Sequence, residues 1–368
     1  MAPLTVTLAA TVALGLGVAL ARAERERRTL RERRARERHF APLAQEDLGN
    51  GLQRMALGQL DVAIEALGGG ARGSSPEQRV HEARKSLKRL RALMRLLRDE
   101  LGEQVYERES ALLRDTGRRL ARARDAAVLL ATLEGMIARD PDRLAARRGV
   151  LRLRARLQHE RDGAAELALA DSATQAGALA DLRAMRVRVS TWRLDEQGGI
   201  EAIEPALERL YRKGRKRMRR AAKARGGRRR TRTMHEWRKR VKDLRYAAEM
   251  LDRSSAEQEA KATRKAKSAD LRFAKRTAKC ADDLGELLGE EHDLATLAAR
   301  VRAEAKAGRA SGAPGRGTRK LLLKLIAKRR GKLRKRALQD GERLYGRKPK
   351  RFLRRMRKAA ALRSLNVR

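Results

Sequence analysis

The sequence predicts an all-α protein built as a duplicated helical bundle. Three observations carry that prediction. Ala, Leu, Arg, Glu and Lys, the strongest helix formers, dominate the 368 residues. Residues that favour strands do not alternate over any convincing stretch. A twelve-residue segment with helical spacing occurs twice, and self-similarity of this kind marks a repeated supersecondary unit. Aromatics make up only 2% of the chain, so its core must be assembled mainly from Leu, Ala, Val and Met.

The elements follow in order. Ala2 to Ala21 is an uncharged run rich in Ala, Leu, Val, Gly and Thr, followed by the mixed-charge stretch Arg22 to Arg38. The run is long enough to span a bilayer, and a weak anchor with its basic side cytoplasmic is the favoured reading. A cleaved leader ending near Ala19-Leu20-Ala21 and a disordered tail stay open as alternatives. Leu48 to Leu67 is an amphipathic helix that ends at the Gly-rich linker Gly68 to Pro76. Val80 to Leu101 and Tyr106 to Ile137 read as helices. Asp140-Pro141 breaks the pattern, and Leu151 to Val189 resumes it.

Gln197-Gly198-Gly199 marks the expected boundary between a first half, residues 45–195, and a second half, residues 200–345. In the second half Ile200 to Ala224 reads as helix and Arg225 to Arg232 as a basic loop. Thr233 to Leu251 is again helical, Asp252 to Asp270 is polar, and Leu271 to Lys306 is helical up to the linker Gly308 to Gly317. Residues 319–368 hold 21 Lys and Arg against two acids. Their leucines suggest helix before a basic tail at residues 346–368.

Charge narrows the partners. Ninety-one Lys and Arg face 46 Asp and Glu, a formal net charge of +45. Such an imbalance repels itself unless something negative neutralises it, so nucleic acid, an anionic membrane or polyphosphate are the partners to weigh. Cys280 is the only cysteine, which excludes disulfides within the chain and argues against a thiolate metal site. The expectation is no metal and no cofactor.

The repeat sharpens this. Residues 80–91 read VHEARKSLKRLR and residues 234–245 read MHEWRKRVKDLR, with seven of twelve positions identical and the copies 154 residues apart. Residues three and four apart share a helix face. His81, Arg84, Lys85, Lys88, Arg91 and Arg95 therefore form one cationic stripe, and His235, Arg238, Lys239, Lys242 and Arg245 form a second. Leu87, Leu90, Leu93, Met94 and Leu97 supply the inward face of the first helix, and Val241, Leu244, Ala248 and Leu251 that of the second. Like charges at this spacing repel. One copy alone would pass for a solvated face, whereas two copies with the same His and cations point to a row of bound phosphates. The histidines fit a capping role as well as an anion contact.

Downstream of the stripes lie Arg118, Arg119, Arg122 and Arg124 before Asp125, and the segment LGELLGEEHD ending in His292 and Asp293. Asp125 and Asp293 are expected to play equivalent parts, as ion-pair partners rather than catalysts. Glu290, Glu291, His292 and Asp293 have the composition of a metal site, but adjacent helical residues point in different directions.

These two HExRKxxKxLR helices, the Arg-Asp segment after the first and LGELLGEEHD after the second resemble the CHAD domain, the conserved histidine α-helical domain. The likeness covers about residues 45 to 305. It implies two similar four-helix halves around a basic cavity and a part in binding inorganic polyphosphate. By the resemblance, His81, Arg84, Lys85, Lys88 and Arg91 match the first family helix, His235, Arg238, Lys239, Lys242 and Arg245 match the second, and Arg119, Arg122 and Arg124 complete the cavity. So does the helix bearing Tyr211, Arg212, Arg215, Lys216 and Arg219. A triphosphate-hydrolysing companion domain of the CYTH type is not expected, because Glu24-Arg25-Glu26-Arg27-Arg28 mimics its signature without a strand pattern. His292 stands where the family commonly has Asn.

The expected function is therefore polyphosphate binding by a cytoplasmic, granule-associated or membrane-anchored protein. The alternative is non-specific binding of DNA or RNA through the basic surface and tail. Scarce aromatics for base stacking count against it. Catalysis is not expected: no GxxxxGK[ST], HExxH or acidic constellation is present.

Overall fold

The computed structural model describes residues 32, 35–43, 46–69, 74–170, 172–194, 199–252, 268–306 and 315–361. Among them every regular element is a helix and no strand occurs. The longer helices are α1 (Leu48–Leu67), α2 (Pro76–Leu96), α3 (Glu103–Arg119), α4 (Ala121–Arg139), α5 (Arg148–Ala170) and α6 (Ser172–Ser190). After residue 199 come α7 (Glu204–Lys223), α8 (Gly227–Glu249), α9 (Ser268–Lys306), α10 (Arg316–Tyr345) and α11 (Pro349–Ala361).

Local sequence explains where the first helices begin. The Asp47 side chain accepts from the backbone of Asn50 at the start of α1. Ser75 and Gln78 close a capping box ahead of α2, with Pro76 in its first turn. Gly226, at φ 78°, makes the left-handed turn between α7 and α8. Helix α8 starts immediately after it. The stretch Arg225 to Arg232, expected as a loop, is therefore largely helix, since Arg-rich sequence after such a turn has no reason to stay open.

Helix α1 packs on α2 and α6, α4 on α5, and α8 on both α7 and α9; α9 also packs on α10, α11 and α4. The two repeat-bearing helices, α2 and α8, touch each other. The larger hydrophobic core joins Leu52, Met55, Leu60, Leu90 and Leu93 to Tyr211, Trp237, Leu244 and Phe352. A second core joins Leu133, Leu153 and Leu157 of α4 and α5 to Leu297, Val301 and Leu322 of α9 and α10. Each core thus draws on helices from both sides of Gly199.

Residues 346–368, expected as a basic tail, include α11, whose Phe352, Leu353 and Met356 are buried. Phe352 stacks on Tyr211 with ring centroids 4.0 Å apart, and the Tyr211 hydroxyl donates to the carbonyls of Leu344 and Arg347 at 3.2 Å each. Burying one such aromatic contributes about 2 kcal/mol, enough to hold a short basic helix against the bundle. No described helix is long and apolar enough to cross a membrane, and the run at residues 2–21 lies outside the described residues.

Candidate functional site

Helix α2 buries Val80, Ala83, Leu87, Leu90, Leu93 and Met94 in the larger core. That choice of face turns the cationic stripe toward α8. Helix α8 does the same with Trp237, Val241 and Leu244. Stripes 154 residues apart in sequence therefore meet across one basin.

The basin has two lobes. In the first, of about 650 Å³, His81, Lys85 and Lys88 face Arg238, Lys242 and Arg245, with Arg139 of α4 at one side. In the second, of about 560 Å³, Arg84, Lys88, Arg91 and Arg95 face His235, Arg238, Lys239 and Lys242. Lys88, Arg238, Lys242 and Asp293 line both lobes, so the division lies within one continuous cationic wall. Asp125 and Asp293, expected as equivalents, both line the second lobe.

Packing holds several of these cations in place. Gly289 of α9 leaves room for Arg238, whose Nη2 would lie only 3.3 Å from a Cβ added there. Arg95 reaches Asp243 at 3.1 Å, and Asp243 is also held by Arg240 at 3.0 Å. Arg245 binds Glu249 at 2.6 Å and Asp282. Arg84 donates to the Gly117 carbonyl at 3.1 Å. Lys85 lies 3.7 Å from Glu82, and Lys239 lies 2.9 Å from Glu236. These braces preorganise the wall, which lowers the entropy lost when an anion binds.

Burial and crowded positive charge together disfavour the protonated forms of several of these groups. Burial, then the neighbouring Arg95, lowers the Arg91 pKa. His235 is pushed down to about 4 by burial, then by His292. His292 is pushed down to about 4 by burial, then by Arg238 and Arg330. An anion in the basin would offset the like-charge part of each of these shifts.

Not every expected residue joins the basin. Arg119 lies 3.6 Å from Asp181 and lines neither lobe. Arg122 sits in the first turn of α4, and its side chain is outside the described residues. Arg212, Arg215 and Arg219 do not complete the same cavity. They line a separate groove of about 1390 Å³ between α7, the start of α8 and Lys348–Lys350, because α7 turns its apolar face, including Leu210 and Tyr211, to the core. Arg89, Arg139 and Arg240 line the basin although the repeat did not single them out. Arg240 aligns with Ser86, Arg89 aligns with Asp243, and Arg139 ends a distant helix, so no repeated spacing marked any of the three.

The acids downstream do not gather. Glu290 pairs with Arg329 at 2.8 Å and Arg139 at 3.1 Å, while buried Glu291 pairs with Arg330 at 2.8 Å and Arg334 at 2.6 Å. Among the described residues no group of three or more His, Cys, Asp or Glu is placed to hold a metal ion.

Comparison with known proteins adds three findings. The family model described as the CHAD domain matches residues 54–302. A search of curated proteins gave no match. Among solved structures, the CHAD domain from the plant Ricinus communis is similar, with a TM-score of 0.53 and 20% identity, covering 81% of this chain and 94% of that one. At that identity the likeness is one of fold.

Proposed function

The chain belongs to the CHAD domain family, and from that premise we propose that its basin binds a linear polyanion, inorganic polyphosphate above all. The observation that carries the proposal is the meeting of the two stripes. Two copies of one cationic motif face each other across a space lined by Lys88, Arg238 and Lys242. Folding concentrates like charge there at a cost, which a row of phosphates offsets through forked Arg contacts and Lys point charges.

The helix order supports an internal duplication. Helices α1 and α2 correspond to α7 and α8, α3 with α4 to the single long α9, and α5 with α6 to α10 with α11. On this reading α3 and α4 are α9 interrupted at Leu120. The role is binding rather than catalysis: Asp243, Asp282 and Glu290 are each taken up by arginines and so serve to brace the wall. Recruitment to polyphosphate granules in the cytoplasm would follow from such binding.

Titration of the full chain with long-chain polyphosphate, in competition with duplex DNA at physiological salt, tests this. The comparison is a variant with Arg84, Lys88, Arg238 and Lys242 changed to Ala. Polyphosphate should win, with affinity falling steeply as salt rises, and the variant should lose that preference while staying helical. Equal competition by DNA, with the variant unchanged, would establish instead a non-specific nucleic-acid binder acting through its general surface.

A further inference from the structure

Resting on that reading of the basin, we infer that the groove between α7, α8 and α11 continues the binding path, taking the length of a polyphosphate chain that leaves the basin and so selecting long chains over short ones.

The groove is built for a phosphate chain. Arg212, Lys216, Arg219 and Lys223 follow one another at steps of four, three and four residues along α7, a single helical stripe. Arg229 and Arg232 line the facing wall from the first turns of α8. The stacking of Phe352 on Tyr211 fixes the start of α11, which sets Lys348 and Lys350 on the rim. Unlike the braced Arg95 and Arg245, Lys216, Arg219, Lys223 and Arg232 have no carboxylate at ion-pair distance among the described residues.

Continuity with the basin rests on two observations. Glu236 lines both the groove and the second lobe, so the two spaces share a wall one residue wide. Lys213, a groove residue, has its pKa lowered by burial and then by Arg240, which lines the second lobe. The cations of the two spaces already share one field.

The lining also selects the polymer. Among the described residues no aromatic side chain lines the groove, so it lacks the aromatic platforms that contribute most to base stacking. A bare phosphate chain loses nothing by that, whereas a single-stranded nucleic acid does. The groove is larger than either lobe, at about 1390 Å³ against 650 and 560 Å³, which suits a flexible exit segment with its remaining hydration.

The test uses the exposed residues Lys216, Arg219 and Arg232, changed together to Ala in the full chain, with unchanged helicity and melting as the check on folding. Binding of tripolyphosphate, long-chain polyphosphate and duplex DNA is then measured. Long-chain affinity should fall about tenfold while tripolyphosphate affinity changes less than about twofold. If the variant keeps the full long-chain advantage, or loses only DNA binding, the groove is no part of the path, even though the basin reading stands. Failure of the basin reading shows separately: an Arg238→Ala/Lys242→Ala protein would then bind tripolyphosphate as the parent does.

Discussion

The imidazole rings of His235 and His292 lie 4.1 Å apart, centroid to centroid, tilted by 32°, at the edge of the second lobe. One belongs to the repeated motif on α8, the other to the LGELLGEEHD segment of α9. Around them stand Lys239, Arg238 and Lys242 of α8 and Arg330 of α10, with Glu236 the attractive charge at His235. Both rings are half-buried among cations, and the Nδ1 of each is buried without a hydrogen-bond partner. Their neutral form is the one the fold accommodates.

Acid should therefore destabilise the protein through this pair. Both pKa values are held down to about 4 in the folded chain, against about 6.5 when unfolded. Between those values the unfolded chain binds more protons, so stability falls as pH drops from 6.5 to 4, and below 4 the pair adds no further loss. Because both rings are partly solvated, the loss is on the order of 1 kcal/mol, or about 3 °C in Tm. Thermal melts across this range should show it, and His292→Asn should flatten the slope. An equal slope in the variant would remove the pair as its source.

Polyanion binding should take up protons at mildly acid pH. Burial first, and then neighbouring positive charge, holds both histidines down; phosphates beside Arg238 and Lys239 offset the charge contribution, so both pKa values rise on binding. Affinity then increases as pH falls from 7 to 5.5, by at most about tenfold per pH unit for each proton taken up. Calorimetry in two buffers of different ionisation heat reads the proton count directly. No uptake at pH 5.5 in the parent, with full binding, would place the ligand away from the pair.

The alternation of apolar and cationic positions made the two motif faces legible from sequence. Leu87, Leu90, Leu93, Met94 and Leu97 are buried as expected, and so are Val241, Leu244, Ala248 and Leu251. Helical periodicity says which face turns inward but not which helix it meets. Hence the placement of Arg212, Arg215 and Arg219 in a groove of their own was not readable. Nor was the sharing of both cores between the halves. Close approaches are equally silent: Gly341 is an unremarkable glycine in a basic helix, yet a Cβ there would come within 2.5 Å of the Trp237 ring. The docking of α11 hides for another reason, since Phe352, Leu353 and Met356 are three apolar residues scattered through a strongly basic segment.

Glu291 should be among the most sensitive positions for stability. Its side chain is 1% exposed and receives Arg330 at 2.8 Å and Arg334 at 2.6 Å. Arg330 also donates to Thr231 of α8 at 2.8 Å, so this carboxylate ties α9 to α10 and, through Arg330, to α8. Glu291→Ala leaves two guanidinium groups largely buried without their counter-charge and should cost about 3–5 kcal/mol. Glu291→Gln keeps an acceptor and should cost less. Urea denaturation gives both values, and a near-neutral Glu291→Ala would show that water takes over the two arginines.

Glu236 should oppose the ligand it stands beside. It sits where basin meets groove and is held ionised by the Lys239 ammonium at 2.9 Å, which lowers its pKa. A carboxylate at the crossing repels passing phosphate and occupies one cation of the stripe. Its partial exposure screens that repulsion to about 0.5–1 kcal/mol. Glu236→Gln should therefore tighten long-chain polyphosphate binding by about two- to fivefold. It should also steepen the salt dependence, because Lys239 becomes available to the chain. Weaker binding with an unchanged salt slope would mean that the carboxylate matters more by positioning Lys239 than by repelling phosphate, and that the path does not run past it.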